Sequence, residues 1–119
     1  MDLENPFLAL SNILRAVEGG SEFGALDSES QSILKFIATR EALGEESCVT
    51  DITGNDSLPG AQATKFKRLQ KLRDDGWLKA GSSDLHHRRV NLGLSRKAKI
   101  ELERIGKVVE QRLRKAFDF

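Results

Sequence analysis

Residues 66–98 have the sequence FKRLQKLRDDGWLKAGSSDLHHRRVNLGLSRKA, which carries the clearest secondary-structure signals of the chain. It opens with apolar residues at helical spacing, and the helix they predict ends at Gly76 because glycine commonly terminates helices. The pattern then changes to period two, which predicts short strands over 77–80 and 89–94 with a turn between them. The stretch therefore predicts a helix, a β-hairpin and the start of a further helix.

The helix before this hairpin is predicted to span about Gly60 to Asp74, after a segment rich in turn-forming residues. At about 100° per residue, Phe66, Leu69 and Leu72 form an apolar back. The residues that point away from this back form a basic front: Thr64, Lys67, Arg68 and Lys71. We therefore expect the helix to lie on a core with its cations in solvent.

The flanking sequence adds helices on both sides. An apolar stripe predicts a helix over about 3–17, and a loop with three glycines follows it. A second helix is predicted over 28–43, ended by Gly44, and a short third helix over about 47–52. Ser95 is positioned to cap a long final helix that continues to about Phe117. The predicted core face of the second helix is Ile33, Leu34, Phe36 and Ile37.

This order of elements predicts a winged helix-turn-helix, a mainly α fold with a small β-hairpin wing. We expect one domain over residues 1–119, with the recognition helix at about 60–74 and the wing at about 80–91. The final helix, about 20 residues or about 30 Å long, exceeds what one small domain needs. The terminal helices, within 1–18 and 96–119, are therefore predicted to pair with a second copy in a homodimer. The predicted interface residues are Leu3, Phe7, Leu10, Leu14, Ile105, Val109, Leu113 and Phe117.

The net charge of +1 conceals an uneven distribution along the 119 residues. Residues 1–59 carry three basic and eleven acidic side chains, a net charge of −8. Residues 60–99 carry eleven basic and three acidic side chains, a net charge of +8, and residues 100–119 carry +1. Because a surface that is only solvated usually intersperses both signs, the basic segment predicts a polyanionic partner.

Several classes of protein are excluded by other features. No apolar run approaches the ~20 residues of a membrane span, and the acidic N-terminus is unlike a secretory signal. The single cysteine, Cys48, excludes an internal disulfide, so we expect a cytoplasmic protein with no membrane partner. No catalytic arrangement or phosphate-binding glycine loop is present, so we expect no enzyme activity, no cofactor and no metal.

A helix with a basic front beside a hairpin with a basic tip suits duplex DNA. An α-helix fits the major groove, where base edges present a distinguishable pattern, and a wing can reach the minor groove or the backbone. We therefore expect sequence-specific binding to double-stranded DNA and regulation of transcription. The predicted DNA-binding residues are Ser57, Gln62, Thr64, Lys65, Lys67, Arg68 and Lys71, and, in the wing, His86, His87, Arg88 and Arg89.

The same stretch resembles the MarR-type transcriptional regulators over about residues 28–100, and most strongly over 66–98. Their recognition helix ends in a pattern that Leu72, Gly76 and Trp77 match. Their wing pattern is matched by Asp84, Arg88, Arg89, Val90, Leu92, Leu94 and Ser95. The resemblance implies a DNA-binding dimer, with the recognition helix in the major groove and the wing near the minor groove.

Three departures from the family pattern bear on the wing and on ligand sensing. His86 stands where the family usually has a wing arginine, so His87, Arg88 or Arg89 is expected to take over that contact. Ala98 replaces a usual glycine. The chain is also short for the family, whose effector pocket lies among the terminal helices, and this favours a regulator without a small-molecule effector.

Other interpretations remain open at this point. The basic face could bind an acidic protein, as in a winged-helix interaction module or a phage or plasmid accessory factor; an RNA-binding winged helix lacks the stacking aromatics it needs. His86 and His87 could hold a metal or act as a pH switch, but neighbours on a strand face opposite ways, which favours phosphate contact. Cys48 could sense redox state, but it lacks a basic neighbour, which favours a small buried residue.

Overall fold

The computed structural model describes residues 5–82 and 90–117. Within them the chain is mainly helical with a small antiparallel sheet, which confirms the predicted fold class. It divides into two compact units, Asp27–Lys99 and Met1–Leu26 with Ile100–Phe119; the single domain predicted over 1–119 stays a prediction. The elements are α1 (Pro6–Gly19), α2 (Ser28–Ala42), β1 (Ser47–Cys48), α3 (Val49–Thr53), α4 (Gln62–Asp74), β2 (Leu78–Ser82), β3 (Val90–Leu94) and α5 (Arg96–Phe117).

A three-stranded sheet in the order β1-β3-β2 organises the unit Asp27–Lys99. Both pairings are antiparallel: Ser47 lies opposite Leu92, and Leu78 lies opposite Leu94. The sequence does not predict β1, because two residues are too few to show a period. Helices and strands of this unit share a core whose apolar members are Ile33, Leu34, Ile37, Cys48, Ile52, Leu58, Leu69, Leu72, Trp77, Leu78, Leu92, Leu94 and Ala98.

The junction between α4 and the sheet is fixed by Gly76. This residue has φ +83°, a left-handed conformation that favours glycine. It allows the Trp77 N–H to return to the Leu72 carbonyl at 2.8 Å, the bond that closes a Schellman motif. Ser95 then donates its hydroxyl to the Gly76 carbonyl at 2.5 Å and caps α5 by accepting from the Ala98 N–H at 3.1 Å. One glycine and one serine thus join the end of α4, the start of β2 and the start of α5.

The terminal unit is built on α1 and the larger part of α5. Asn5 caps α1 by accepting hydrogen bonds from the N–H groups of Phe7 and Leu8, so the helix begins at Pro6, a favoured first position for proline. The loop after α1 needs Gly24, because an added Cβ would lie 1.6 Å from the Glu18 carbonyl oxygen. The buried apolar residues of this unit are Ala9, Ile13, Val17, Phe23 and Ile105.

Glu101 fastens α5 to the loop that follows α1. Its carboxylate pairs with Arg104 at 2.9 Å and accepts hydrogen bonds from the backbone N–H groups of Phe23 and Glu22. The hydrogen bond with Arg104 is the main reason that the pKa of Glu101 lies below its ordinary value. The anchored loop holds Phe23 in the core of this unit, where it is 1% exposed, a role that the sequence pattern does not reveal.

The predicted dimer residues differ in how far the single chain exposes them. Phe7 is 74% exposed and Leu10 is 38% exposed, although both are apolar and lie on the predicted stripe of α1. Ile105 is instead buried within its own chain, so its prediction as a dimer contact is wrong: little of its surface is left for a partner. Leu3 lies outside the described residues. The remaining members, all half-buried, are Leu14, Val109, Leu113 and Phe117.

No helix in the described parts of the chain has the length and apolar character needed to cross a membrane.

Candidate nucleic-acid interface

Helices α3 and α4 form a helix-turn-helix pair. The Asp51 carboxylate accepts the Cys48 N–H at 2.8 Å and fixes the start of α3, while the Cys48 side chain is buried as the sequence predicts. In the turn between the helices, Asn55 Oδ1 accepts the Ser57 N–H at 2.9 Å and the Ser57 hydroxyl at 2.6 Å. Ser57 is exposed, but its hydroxyl hydrogen is already donated within this turn.

The rotation of α4 about its axis differs from the sequence prediction at two residues. Lys65 is 3% exposed, and its Nζ donates to the Asn55 carbonyl at 2.5 Å, so its prediction as a DNA contact is wrong. Phe66, predicted on the apolar back, is 45% exposed. The reason is spacing: Lys65, Leu69 and Leu72 follow the i, i+4, i+7 pattern of one helix face. The lysine stem lies with the core while its ammonium caps a turn carbonyl.

The exposed surface of α4 carries two adjacent stripes. Lys67 and Lys71, four residues apart, form a cationic stripe as predicted. A second stripe beside it was missed by the sequence prediction and consists of Ala63, Phe66 and Gln70. The i, i+4, i+7 spacing of positions 65, 69 and 72 was a signal for it, but Phe66, three residues before Leu69, also fits that side of the helix and has the higher hydropathy. We call these residues the lysine stripe and the Phe66 stripe.

Arg68 does not stand free on the basic front. Its Nη1 lies 2.7 Å from Asp27 Oδ2 and its Nε lies 2.5 Å from Glu29 Oε2, so both carboxylates at the start of α2 pair with it. The pKa of Asp27 lies below its ordinary value of 3.8, chiefly because its carboxylate accepts the Ser30 N–H and in part because Arg68 and Lys71 are nearby. Arg68 therefore ties α4 to α2, and its charge is balanced within the chain.

Replacing Arg68 with alanine is expected to lower the free energy of unfolding by about 1 kcal/mol, because pairs with partly exposed carboxylates contribute modestly. Urea denaturation measures this change. Asp27→Asn is the matched variant: asparagine keeps a capping acceptor for α2 but removes the charge that faces Arg68. An Arg68→Ala variant as stable as the wild type would contradict a structural role for this ion pair.

The same pair predicts a pH dependence. Because folding lowers the pKa of Asp27, its carboxylate adds stability at pH values above the unfolded pKa, and this contribution disappears as the pH falls through the lower folded pKa. The stability difference between the wild type and Asp27→Asn should therefore shrink as the pH falls below 3.8. A difference that stays constant on acidification would show that the charge of Asp27 is not responsible.

The start of α4 offers backbone donors. Its N-cap residue, Ala61, makes no side-chain hydrogen bond to the helix, and the first turn contains no acidic residue. Gln62 is exposed there and Thr64 is half-buried. A helix start of this kind favours anions, because the unpaired N–H groups and the helix dipole both carry positive charge.

The wing is formed by β2 and β3, whose pairing extends to Ser82 opposite Val90. His86, His87, Arg88 and Arg89, the predicted wing contacts, lie outside the described residues. At the other end of the hairpin, Lys97 lies 4.6 Å from the centre of the Trp77 ring and donates to the Asp75 carbonyl at 3.3 Å. Lys97 therefore stabilises the base of the wing.

Taken together, a helix-turn-helix followed by a paired hairpin and a long helix defines a winged helix-turn-helix protein. The chain has the form of this fold found in MarR-like transcriptional regulators, and the predicted resemblance to that type is confirmed in the fold. No protein-family model and no curated protein sequence matches the chain.

Solved structures provide the comparison. The transcriptional regulator Tm0710 from Thermotoga maritima matches with a TM-score of 0.66 and 19% identity, over 92% of this chain and 70% of that one. The C30AH42A mutant of ZitR from Lactococcus lactis matches with a TM-score of 0.55 and 22% identity, over 78% of this chain and 59% of that one. BpsR from Bordetella bronchiseptica, whose DNA binding is regulated by 6-hydroxynicotinic acid, matches with a TM-score of 0.55 and 15% identity, over 93% and 73%. The matched part thus spans 59% of the ZitR chain.

Proposed function

We propose that this protein binds double-stranded DNA sequence-specifically as a homodimer and regulates transcription in the cytoplasm. The observation that carries the proposal is the exposed lysine stripe of α4, located on the second helix of a helix-turn-helix in a MarR-like fold. In this fold class the second helix enters the major groove. The structural neighbours are transcriptional regulators, and the DNA binding of BpsR supports the same kind of partner here.

In the proposed complex, α4 lies in the major groove and its start faces a phosphate. Lys67 and Lys71 contact the phosphate backbone, since lysine is a mobile cation suited to phosphate oxygens. Gln62 and Thr64 lie in the first turn of α4, beside the backbone N–H groups that face the phosphate. They are therefore proposed to contact the same DNA strand or the edge of a base. Ser57 lies in the turn, and its hydroxyl oxygen is proposed to accept from a base amino group, because its hydrogen is already donated to Asn55 Oδ1. The wing residues proposed to contact the minor groove or backbone are His86, His87, Arg88 and Arg89.

The dimer is proposed to form through the terminal helices. Phe7 and Leu10 leave much of their apolar surface in solvent in the single chain, which costs free energy unless a partner covers it. Pairing of two copies would also present two recognition helices to a two-fold symmetric site. The other residues in the proposed contact are Leu3, Leu14, Val109, Leu113 and Phe117.

The experiment that tests the proposal is a titration of the protein against genomic and random-sequence duplex DNA over a series of salt concentrations. We expect binding whose logarithm falls steeply with the logarithm of salt concentration, with a slope of about −0.9 for each phosphate neutralised. Selected sequences from the genomic pool should be bound more tightly than random ones. A protein that shows no affinity for duplex DNA at low salt would contradict the proposal and favour an acidic protein as the partner of the basic face. The absence of a small-molecule effector stays a prediction.

A further inference from the structure

The Phe66 stripe is the least expected part of the α4 surface. Phe66 leaves 45% of its surface in solvent, while the residues four positions before and after it are both glutamines. Ala63 precedes it by three residues and Gln70 follows it by four, so all three lie side by side on the helix. The lysine stripe, Lys67 and Lys71, runs directly alongside. An apolar and amide strip bordered by cations therefore faces away from the core.

The chemistry of this strip matches one kind of base pair. In the major groove, thymine presents a C5-methyl group, which apolar side chains such as phenylalanine and alanine contact. Adenine presents the N6 and N7 pair that a glutamine amide binds with two hydrogen bonds. Guanine is most often read by arginine or lysine instead. Lys67 and Lys71 lie beside the strip rather than in it, and the exposed Arg73 follows Gln70 by three residues, at the C-terminal end of the strip.

We propose that Phe66 is a specificity-determining residue that contacts thymine methyl groups in the major groove, so that the operator has A·T pairs opposite the Phe66 stripe. This inference rests on the proposed function, because it requires that α4 enters the major groove. Phe66 and Gln70 are about 6 Å apart along the helix axis, which corresponds to about two base-pair steps. The residue that buries a methyl and the residue that reads adenine therefore address positions about two base pairs apart in one half-site.

The test removes the methyl group from the DNA and the ring from the protein. A tightly bound duplex is first selected with the wild-type protein, and each thymine is then replaced in turn by deoxyuridine, which lacks only the methyl. At the contacted positions we expect wild-type affinity to fall by about four-fold for each methyl removed. The Phe66→Ala variant should bind the thymine duplex more weakly and should not distinguish thymine from deoxyuridine at those positions.

Two further variants test whether the methyl response depends on the Phe66 side chain in particular. Ile100→Ala shortens another exposed apolar side chain, 56% exposed, and should leave the response to deoxyuridine as in the wild type. Phe66→Leu keeps an apolar group and should retain part of that response. Thermal unfolding confirms that the variants fold, which we expect because Phe66 is only partly covered.

The outcomes separate this inference from the proposed function. If the wild type selects a sequence but no deoxyuridine replacement changes its affinity, the Phe66 inference is overturned while DNA binding stands. The inference is also overturned if Phe66→Ala keeps the wild-type response at every position. If the wild type binds no duplex at all, the Phe66 inference and the proposed function are both refuted. Loss of the methyl response in Phe66→Ala alone, at defined positions, supports the inference.

Discussion

Replacing Lys67 and Lys71 together with alanine is expected to reduce affinity for duplex DNA on the order of 100-fold or more at moderate salt. The two residues form the lysine stripe, and a dimer carries the stripe twice, so four phosphate contacts would be lost. The slope of log affinity against log salt should therefore become shallower by about 3.6, at about 0.9 for each contact. Electrophoretic mobility shift or fluorescence anisotropy over a salt series measures both quantities.

The matched control is Lys107→Ala/Lys115→Ala. Both lysines are exposed on α5, and this variant loses the same formal charge without touching α4. We expect its salt slope to stay close to that of the wild type. If the two double variants lose affinity equally, net charge rather than the recognition helix determines binding, and the proposed docking of α4 is wrong. Arg68→Ala should change the slope less than Lys67→Ala/Lys71→Ala, since its charge is already balanced by Asp27 and Glu29.

The second large effect is expected from Phe7→Glu/Leu10→Glu, which should convert the proposed dimer into a monomer. Burying a phenylalanine or leucine side chain contributes about 1.5–3 kcal/mol, and each residue occurs twice in a symmetric interface. The dimer dissociation constant should therefore rise on the order of 10⁴-fold, and the introduced charges add repulsion across the two-fold axis. Sedimentation equilibrium over a range of protein concentrations measures the change.

Arg15→Glu provides the control on the same helix. Arg15 is exposed and lies about 140° around the helix from Leu10 and about 80° from Phe7, so the new acid should weaken the proposed dimer far less than Phe7→Glu/Leu10→Glu. Loss of the dimer should also weaken binding to a two-half-site duplex more than binding to a single half-site, because the second recognition helix is no longer linked to the first. A wild type that stays monomeric at every concentration, or a glutamate variant that stays dimeric, would refute the proposed interface.

Much of the fold could be predicted from the sequence, because helix ends, helix caps and strand periods depend on residues that are close together in the chain. Gly76 ends α4 since a Schellman motif needs a left-handed residue, and Gly44, with φ +76°, ends the second helix in the same way. Ser95 caps α5 through bonds that span only three residues. The alternation at 90–94 predicts β3 because the side-chain period of a strand is two. These features need only short-range geometry, so the order of the elements and the winged helix-turn-helix class follow from them.

The exposed surface of α4, which forms the candidate nucleic-acid interface, depends more on tertiary structure. Helical spacing allows either Phe66 or Lys65 to continue the stripe of Leu69 and Leu72, and the choice is made by the turn between α3 and α4, whose Asn55 carbonyl accepts the Lys65 ammonium. Lysine can pack in the core and also donate to a carbonyl, because its stem is apolar and its end is charged. Hydropathy alone predicts that a lysine is exposed to solvent. That rotation exposes Phe66 and Gln70 and so creates the Phe66 stripe.

The order of the helices, the two strands of the wing and the location of the positive charge could be predicted from the sequence, whereas β1 could not. Which of those charges are free to bind a partner depends on the folded chain: Arg68 is balanced by Asp27 and Glu29, residues about forty positions earlier in the chain. The tertiary structure also decided that Ile105 and Phe23 are core residues of the terminal unit. The physical reason is range, because caps and periods are set by neighbours in sequence, while burial and ion pairing are set by residues brought together only when the chain folds.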